Sequence, residues 1–261
     1  MNISFYKILS LLLLALLLSA QPPSSFGASG KTGKKDMVQA FLLKQESVFI
    51  GPHQLLLTPD ALRSTDLNSG ITTVVNAEGN KVFVFNDKKK CYFQTKIDTM
   101  GMDPIMTSYM PFRFSLASCV WRKHHEMVFS GERIVVYQTV ATAAQQKPHK
   151  KSNTQGVEIG LARYGEAPDI KLPDCLLQAL QYLYLIPPPK ALPVRLLVDT
   201  GFSKTPKIAL QTTSIEKKLV PIANFAVPKG YKQVFRRKDV GDYAKRDAVL
   251  ESVTDLIMER D

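Results

Sequence analysis

The chain has 261 residues, of which 45% are hydrophobic and 22% charged, and these proportions exclude a protein that is disordered throughout. Its formal net charge of +11 at pH 7 predicts anionic partners such as phospholipid head groups, an anionic membrane surface, acidic glycans or an acidic protein. Nucleic acid is not an expected partner, because the first element of the chain predicts export.

That first element is an apolar run, ILSLLLLALLLSA, which follows Lys7 and ends in Ser19-Ala20. A helix of this length spans about 20 Å, which is too short for a bilayer core of about 30 Å. The pattern therefore predicts a secretory signal peptide over residues 1–20, with cleavage as late as Ala28 as the alternative. No cysteine follows it directly, so no lipid anchor is expected. We expect a mature protein that is periplasmic or extracellular and soluble after cleavage, with a flexible basic spacer over 21–37.

A series of short segments rich in Val, Ile, Phe and Tyr comes next, separated by turn residues at nearly regular spacing. Short connections join antiparallel neighbours, because parallel strands need long crossovers. The pattern thus predicts an antiparallel meander interrupted by a loop or short helix over 100–110 and by a polar loop over 143–155. The predicted strands are 38–50, 54–58, 61–66, 71–76, 81–86, 90–96, 112–120, 124–129, 133–140, 157–162, 193–198, 207–212 and 215–220.

Two segments change to helical periodicity. Leu176, Leu180 and Leu183 predict a helix over 173–185 that ends before three consecutive prolines. The segment 239–261 predicts a C-terminal amphipathic helix. The fold class expected for residues 38–238 is mainly β: a single large antiparallel, incomplete (half-open) barrel with a few covering helices.

Three stretches carry a resemblance to a known family. They are residues 57–92, with Arg63 ahead of two strands that end near Tyr92; the segment LVDTG at 197–201; and FAVPKGY at 225–231. Together they resemble the LolA-like superfamily of exported lipoprotein carriers and lipid-binding proteins. The resemblance implies a half-barrel over an apolar cavity, and lipid or acylated protein as the partner.

An apolar cavity of this kind would be lined by every second side chain of a curved sheet. Each methylene moved into it from water gains about 0.8 kcal/mol, which favours an acyl chain as the cargo. The alternative is a basic envelope module that docks on a protein partner and whose aromatic residues simply fill a packed core. The residues predicted to line the apolar wall are Phe83, Phe85, Phe114, Trp121, Phe129 and Tyr137.

The cysteines and histidines do not predict a metal site. Cys91, Cys119 and Cys175 show no paired metal-ligand spacing. Three cysteines permit at most one internal bridge, and the sequence leaves the pairing open, with Cys119–Cys175 favoured. His124 and His125 are adjacent in a predicted strand, so their side chains should point to opposite faces.

The sequence gives equally little support to an enzymatic function. Asp199 begins an Asp-Thr-Gly string preceded by two hydrophobic residues, as in aspartic peptidases, but those enzymes need two facing carboxylates. A hairpin turn is the favoured interpretation of this string, and a retroviral-type peptidase dimer is a remote alternative. No nucleophile elbow, zinc motif or phosphate-binding loop is present in the sequence. We therefore expect a non-catalytic binding protein without a cofactor, whose oligomeric state the sequence leaves open.

Overall fold

A computed structural model describes residues 36–100, 116–140, 161–199 and 206–241. The described helices are α1 (Ile97–Met100) and α2 (Asp174–Tyr184), with 3₁₀ turns η1 (Ile222–Phe225) and η2 (Arg237–Asp239). The described strands are β1 (Met37–Ser47), β2 (Gly51–Leu57), β3 (Ala61–Asp66), β4 (Ile71–Asn76), β5 (Lys81–Asn86), β6 (Cys91–Lys96), β7 (Val120–Phe129), β8 (Glu132–Val140), β9 (Leu161–Ala167), β10 (Leu192–Asp199), β11 (Lys207–Pro221) and β12 (Lys232–Val234).

The twelve strands form one sheet in the order β12-β6-β5-β4-β3-β2-β1-β11-β10-β9-β8-β7. Strands β1 to β6 make one antiparallel meander, strands β7 to β11 make a second, and the long pairing of β1 with β11 joins the two. Among the described strands, only β12 pairs in parallel, with β6. The sheet is not closed into a barrel, so the predicted fold class, a mainly β open antiparallel sheet, is confirmed.

The hairpins follow from residues that accept a left-handed backbone. Between β7 and β8, Ser130 and Gly131 have φ angles of 51° and 80°. Positive φ at both central residues defines the type I′ turn, whose twist matches that of the strands it connects. The break predicted at this point is therefore a two-residue hairpin turn.

The main hydrophobic core lies between the sheet and α2. Leu176, Leu180 and Leu183 are all buried, as their spacing predicts, and they belong to the same cluster as Leu43 of β1 and Leu55 of β2. The helix ends at Tyr184, and the residue that caps it, Leu185, has a left-handed φ of 51°. Among the described residues, no helix is both long enough and apolar enough to cross a membrane.

A second, smaller core covers the opposite face of the first meander. Along β5, Val82 and Val84 join the main core, whereas Phe83 and Phe85 alternate with them and join the second. The second core also includes Phe225, which lies in η1 after β11 and packs against the sheet. The first meander is therefore packed on both faces.

The structure corrects two predicted strands. Residues 116–119 form a helical turn and a bend instead of the end of a strand over 112–120, with the Cys119 amide donating to the Leu116 carbonyl at 3.3 Å. The strands predicted over 207–212 and 215–220 are one strand, β11, because a bulge at Thr213 absorbs one residue and the ladder to β1 continues past it.

Other predictions fall wholly or partly outside the described residues. These are the leader and spacer up to residue 35, the loop or short helix over 100–110 beyond residue 100, the first part of the strand over 112–120, the loop over 143–155, the first part of the strand over 157–162, and the C-terminal helix beyond residue 241. The cysteines are described, and the favoured Cys119–Cys175 disulfide is not formed.

Candidate functional site

A straight row of residues crosses the second meander on one face of the sheet. His125, Val136, Gly165, Arg195 and Gln211 stand directly opposite one another on β7, β8, β9, β10 and β11. Directly opposite residues in paired strands project to the same face. Five separate strands thus contribute to one continuous surface.

A pocket of about 220 Å³ is centred on this row. Its polar residues are His125, Arg163, Arg195, Gln211 and Thr212. Its apolar lining consists of Met127, Phe129, Ile134, Val136, Val194 and Leu197. An apolar hollow with a few polar groups at its margin is the general form of a small-molecule site.

Gly165 makes room for the pocket at the middle of the row. A Cβ atom at this position would lie 3.4 Å from both Ile134 Cγ2 and Val194 Cγ2 and 3.5 Å from Arg195 Cβ. A larger side chain would therefore fill the hollow from its floor. A glycine inside a strand often marks a point of close approach to a ligand or another backbone.

Two arginines supply the charge of the pocket. Arg163 lies opposite Leu197, and Arg195 lies opposite Gly165, so the two are diagonal neighbours on adjacent strands. The Nε atom of Arg163 donates to Gln138 Oε1 at 3.0 Å, which orients its guanidinium group. Within the described ranges, neither guanidinium group forms an ion pair with a carboxylate. Two exposed arginines on adjacent strands, without an acidic partner in the part of the chain that the structure describes, favour a bound anion.

The two adjacent histidines contact each other, so the prediction that they point to opposite faces is wrong. Lys123 and His125 pair with consecutive residues of β8, which leaves His124 as the extra residue of a β-bulge. The bulge breaks the normal alternation, and the two imidazole rings meet edge to face with their centroids 4.9 Å apart. Among the described residues, no group of three His, Cys, Asp or Glu side chains could hold a metal ion.

A buried polar network reaches the edge of the pocket at Thr212. The side-chain amide of Gln45 donates to Thr212 Oγ1 at 2.9 Å, and the Tyr184 hydroxyl donates to Gln45 Oε1 at 2.6 Å. The same hydroxyl lies 3.0 Å from His53 Nε2, while His53 Nδ1 lies 2.8 Å from the Gly51 carbonyl oxygen. Burial lowers the pKa of His53, and the Gly51 carbonyl and Asp66 oppose this effect in part. The network fixes α2 to the sheet beside the pocket.

The structure does not gather the predicted aromatic wall into one site. Phe83 and Phe85 belong to the second core, and Phe114 lies outside the described residues. Trp121 and Tyr137 pack against the main core, with Trp121 edge-on to Tyr164 at 6.0 Å. Phe129 alone of the described members of this wall lines the pocket.

The residues that define the pocket carry only a weak signal in the sequence. Arg163 and Gly165 lie two positions apart and so share a face, but the strand predicted there ends at residue 162. Arg195 lies in the strand predicted over 193–198, but nothing in the sequence indicates that it pairs with a glycine. Asp199 is the last residue of β10, and residues 200–205 that follow it lie outside the described ranges.

Comparisons with known proteins leave the family open. No protein-family model and no curated protein matches the chain. One solved structure that matches is described as an uncharacterized conserved protein from Thermus thermophilus. It is 10% identical, the match covers 76% of this chain and 91% of that chain, and the TM-score is 0.40. At this level of similarity the neighbour indicates neither a family nor a function.

Proposed function

We propose that the protein is an exported, non-catalytic carrier or binding protein of the LolA-like type, and that its ligand is an anionic amphiphile. One observation carries this proposal: the pocket on β7 to β11 combines an apolar floor with two arginines. A purely hydrophobic ligand would leave both guanidinium groups without a counter-charge, and a purely polar anion would leave the apolar floor uncovered.

The apolar part of the pocket suits a single chain. Its volume of about 220 Å³ lies below the roughly 300–1,000 Å³ of common ligand sites, which favours one acyl chain over two. A buried segment of about six methylenes would contribute roughly 5 kcal/mol before the costs of ordering the ligand. The pocket alone therefore supports a modest affinity that the head group must raise.

The head group would be a carboxylate or a phosphate bound by Arg163 and Arg195. Hydrogen bonds to charged groups contribute about 1.5–3 kcal/mol when they are shielded from water, and less at an exposed rim. We therefore expect the two arginines to strengthen the binding of an anionic amphiphile about tenfold relative to a neutral one with the same chain.

Calorimetric titration with decanoate and with 1-decanol tests this head-group assignment, because the two probes share a chain and differ in charge. The expected result is tighter binding of decanoate to the wild-type protein, and loss of that advantage in the double variant Arg163→Gln/Arg195→Gln. The matched control is Lys81→Gln/Lys96→Gln, which removes two exposed charges that face each other on β5 and β6. Equal losses in both double variants would contradict the assignment.

Filling the pocket tests its apolar part. Gly165→Leu places a side chain against Ile134 and Val194 and should abolish the binding of both probes. If this variant does not fold, Met127→Trp enlarges a pocket residue that is 41% exposed and should weaken binding without affecting the core. Unchanged decanoate binding in a folded variant of either kind would refute this location for the ligand.

A further inference from the structure

A second surface of the molecule combines strong positive charge with an exposed aromatic residue. We call it the β6–β12 basic surface and define it as residues 87–90, which connect β5 to β6, together with residues 229–239 around β12. These two segments contain eight basic and two acidic residues, a net charge of +6 out of +11 for the whole chain. More than half of the net charge is thus carried by a small part of the protein.

The fold brings these two distant segments of the sequence together. Strand β12 pairs in parallel with β6, with Lys232 opposite Cys91, and the Lys232 amide donates to the Lys90 carbonyl at 2.9 Å. After β12 the chain turns back, so that Lys89 Nζ donates to the Asp239 carbonyl at 3.4 Å. Two basic runs that lie far apart in the sequence therefore form one surface.

The two acidic residues of this surface form hydrogen bonds with other residues of the same surface. Asp239 forms a two-bond contact with the Arg236 guanidinium group at 3.0 Å, and Asp87 accepts a hydrogen bond from the Tyr231 hydroxyl at 2.7 Å. Their negative charge is thus held at two fixed points of the surface. The lysines of the surface are all exposed, and they are Lys88, Lys89, Lys90, Lys229, Lys232 and Lys238.

Phe235 stands among these cations and is 92% exposed, the highest value among the exposed large hydrophobic residues of the described chain. It follows β12 directly, between Val234 and exposed Arg236. Folding buries almost none of the apolar surface of this side chain, so Phe235 contributes almost nothing to the stability of the fold. Its exposure among cations matches the interfacial elements that place an aromatic ring below lipid head groups and basic side chains at their level.

We propose that the β6–β12 basic surface docks the protein on an anionic lipid bilayer, with Phe235 inserted between the head groups. Six of the eight basic residues of this surface are lysines, and lysine is a compact, strongly hydrated point charge suited to a diffuse negative surface. Nucleic-acid and protein partners whose individual phosphate or carboxylate groups are recognised favour arginine, because its guanidinium group binds such a group through two hydrogen bonds. The basic surface lies at the opposite end of the strand order from the pocket, so this inference does not depend on the proposed ligand.

Co-sedimentation with lipid vesicles tests the docking. The full mature chain is mixed with vesicles of phosphatidylcholine alone, or of equal parts phosphatidylcholine and phosphatidylglycerol, at low and high salt. We expect binding to the anionic vesicles only, and weaker binding at high salt, because the Debye length falls from about 10 Å at 0.1 M to about 3 Å at 1 M. Equal binding to both kinds of vesicle would overturn the proposal.

Two sets of variants assign the binding to this surface. Each basic residue near an anionic bilayer strengthens partitioning roughly fivefold, so changing Lys88, Lys89 and Lys90 to Gln should lower the partition coefficient on the order of 100-fold. The matched control changes three exposed lysines elsewhere, Lys44→Gln, Lys171→Gln and Lys218→Gln, and should have a much smaller effect. Equal effects of the two triple variants would overturn the proposal, because net charge alone would then explain the binding.

A substitution of Phe235 separates bilayer insertion from simple charge attraction. Phe235→Ser should lower binding to anionic vesicles roughly tenfold and leave binding to soluble polyglutamate unchanged. If Phe235→Ser has no effect on vesicle binding, or if polyglutamate binds wild-type protein more tightly than the vesicles do, the partner is an acidic macromolecule and the bilayer proposal is wrong. Decanoate binding in these variants should be unchanged, which keeps this test separate from that of the pocket.

Discussion

The substitution Tyr184→Phe tests the buried network that fixes α2 to the sheet. The Tyr184 hydroxyl donates to Gln45 Oε1 and lies within hydrogen-bond distance of His53 Nε2, and all three side chains belong to residues that are at most 3% exposed. Removing the hydroxyl leaves two buried polar atoms without this partner, while the ring keeps its packing. Each of the two unsatisfied groups costs about 1–3 kcal/mol, so we expect the free energy of unfolding to fall by about 2–6 kcal/mol.

Urea denaturation followed by circular dichroism and by the fluorescence of Trp121, which is the sole tryptophan of the chain, measures this loss. The control is Tyr92→Phe, the same chemical change at a hydroxyl that donates to Gln233 Oε1 at 3.2 Å in an exposed position. We expect that variant to stay within about 0.5 kcal/mol of the wild type. Equal effects of the two substitutions would refute the idea that the network stabilises the position of α2.

Three further predictions concern the folded domain. Burial lowers the pKa of His53 from its ordinary value of 6.5, so the unfolded chain binds the proton more readily than the folded chain. The free energy of unfolding should therefore fall as the pH drops below about 6.5, by up to ~1.4 kcal/mol per pH unit. Urea titrations across the pH range should show that His53→Gln removes this slope. Leu180→Ala, at a position with no exposed surface, should lower the free energy of unfolding by about 2–5 kcal/mol, and a loss under about 1 kcal/mol would contradict the packing of α2 described above. Gly131→Ala should lower the free energy of unfolding by about 1 kcal/mol in thermal or urea unfolding. The φ angle is 80° there and a Cβ would meet no neighbour, so only backbone strain contributes. A neutral result would argue against the type I′ turn.

The local elements of the fold were largely predictable from the sequence. Strands β3, β4 and β5 have the predicted bounds, and α2 lies within one residue of the predicted helix at each end. These segments combine a clear period with strong turn residues, so neighbouring residues alone determine them. The turn at 116–119 was not predictable in this way, because its apolar residues suit a strand. The hydrogen bonds that define it, from the Cys119 amide and the Trp121 indole to the Leu116 carbonyl, exist only in the folded chain.

The candidate site depends on register, which local sequence patterns do not specify. The meeting of Gly165 with Arg195 requires that β9 and β10 pair with a particular offset, and that offset includes a bulge between Pro193 and Arg195. A shift of one residue would move every side chain of a strand to the other face of the sheet. For the same reason the aromatic residues predicted to share one wall are divided, with Phe85 on one core and Tyr137 on the other.

The basic surface shows the same limit over a longer distance. Both of its basic runs are visible in the sequence as loop clusters, at Lys88–Lys90 and at Arg236–Lys238. Their proximity depends on β12, a parallel strand of three residues that is too short to produce a recognisable pattern. Separate charge clusters in a sequence thus become a single surface through a contact that only the folded chain contains.

Native mass spectrometry of the protein purified from its own host tests the central claim most directly. We expect one amphiphile of lipid size per chain, with an anionic head group identified after solvent extraction, and its absence from a folded Gly165→Leu variant purified in the same way. A wild-type protein with the mass of the bare chain, unchanged after incubation with the host's lipids, would contradict the carrier function.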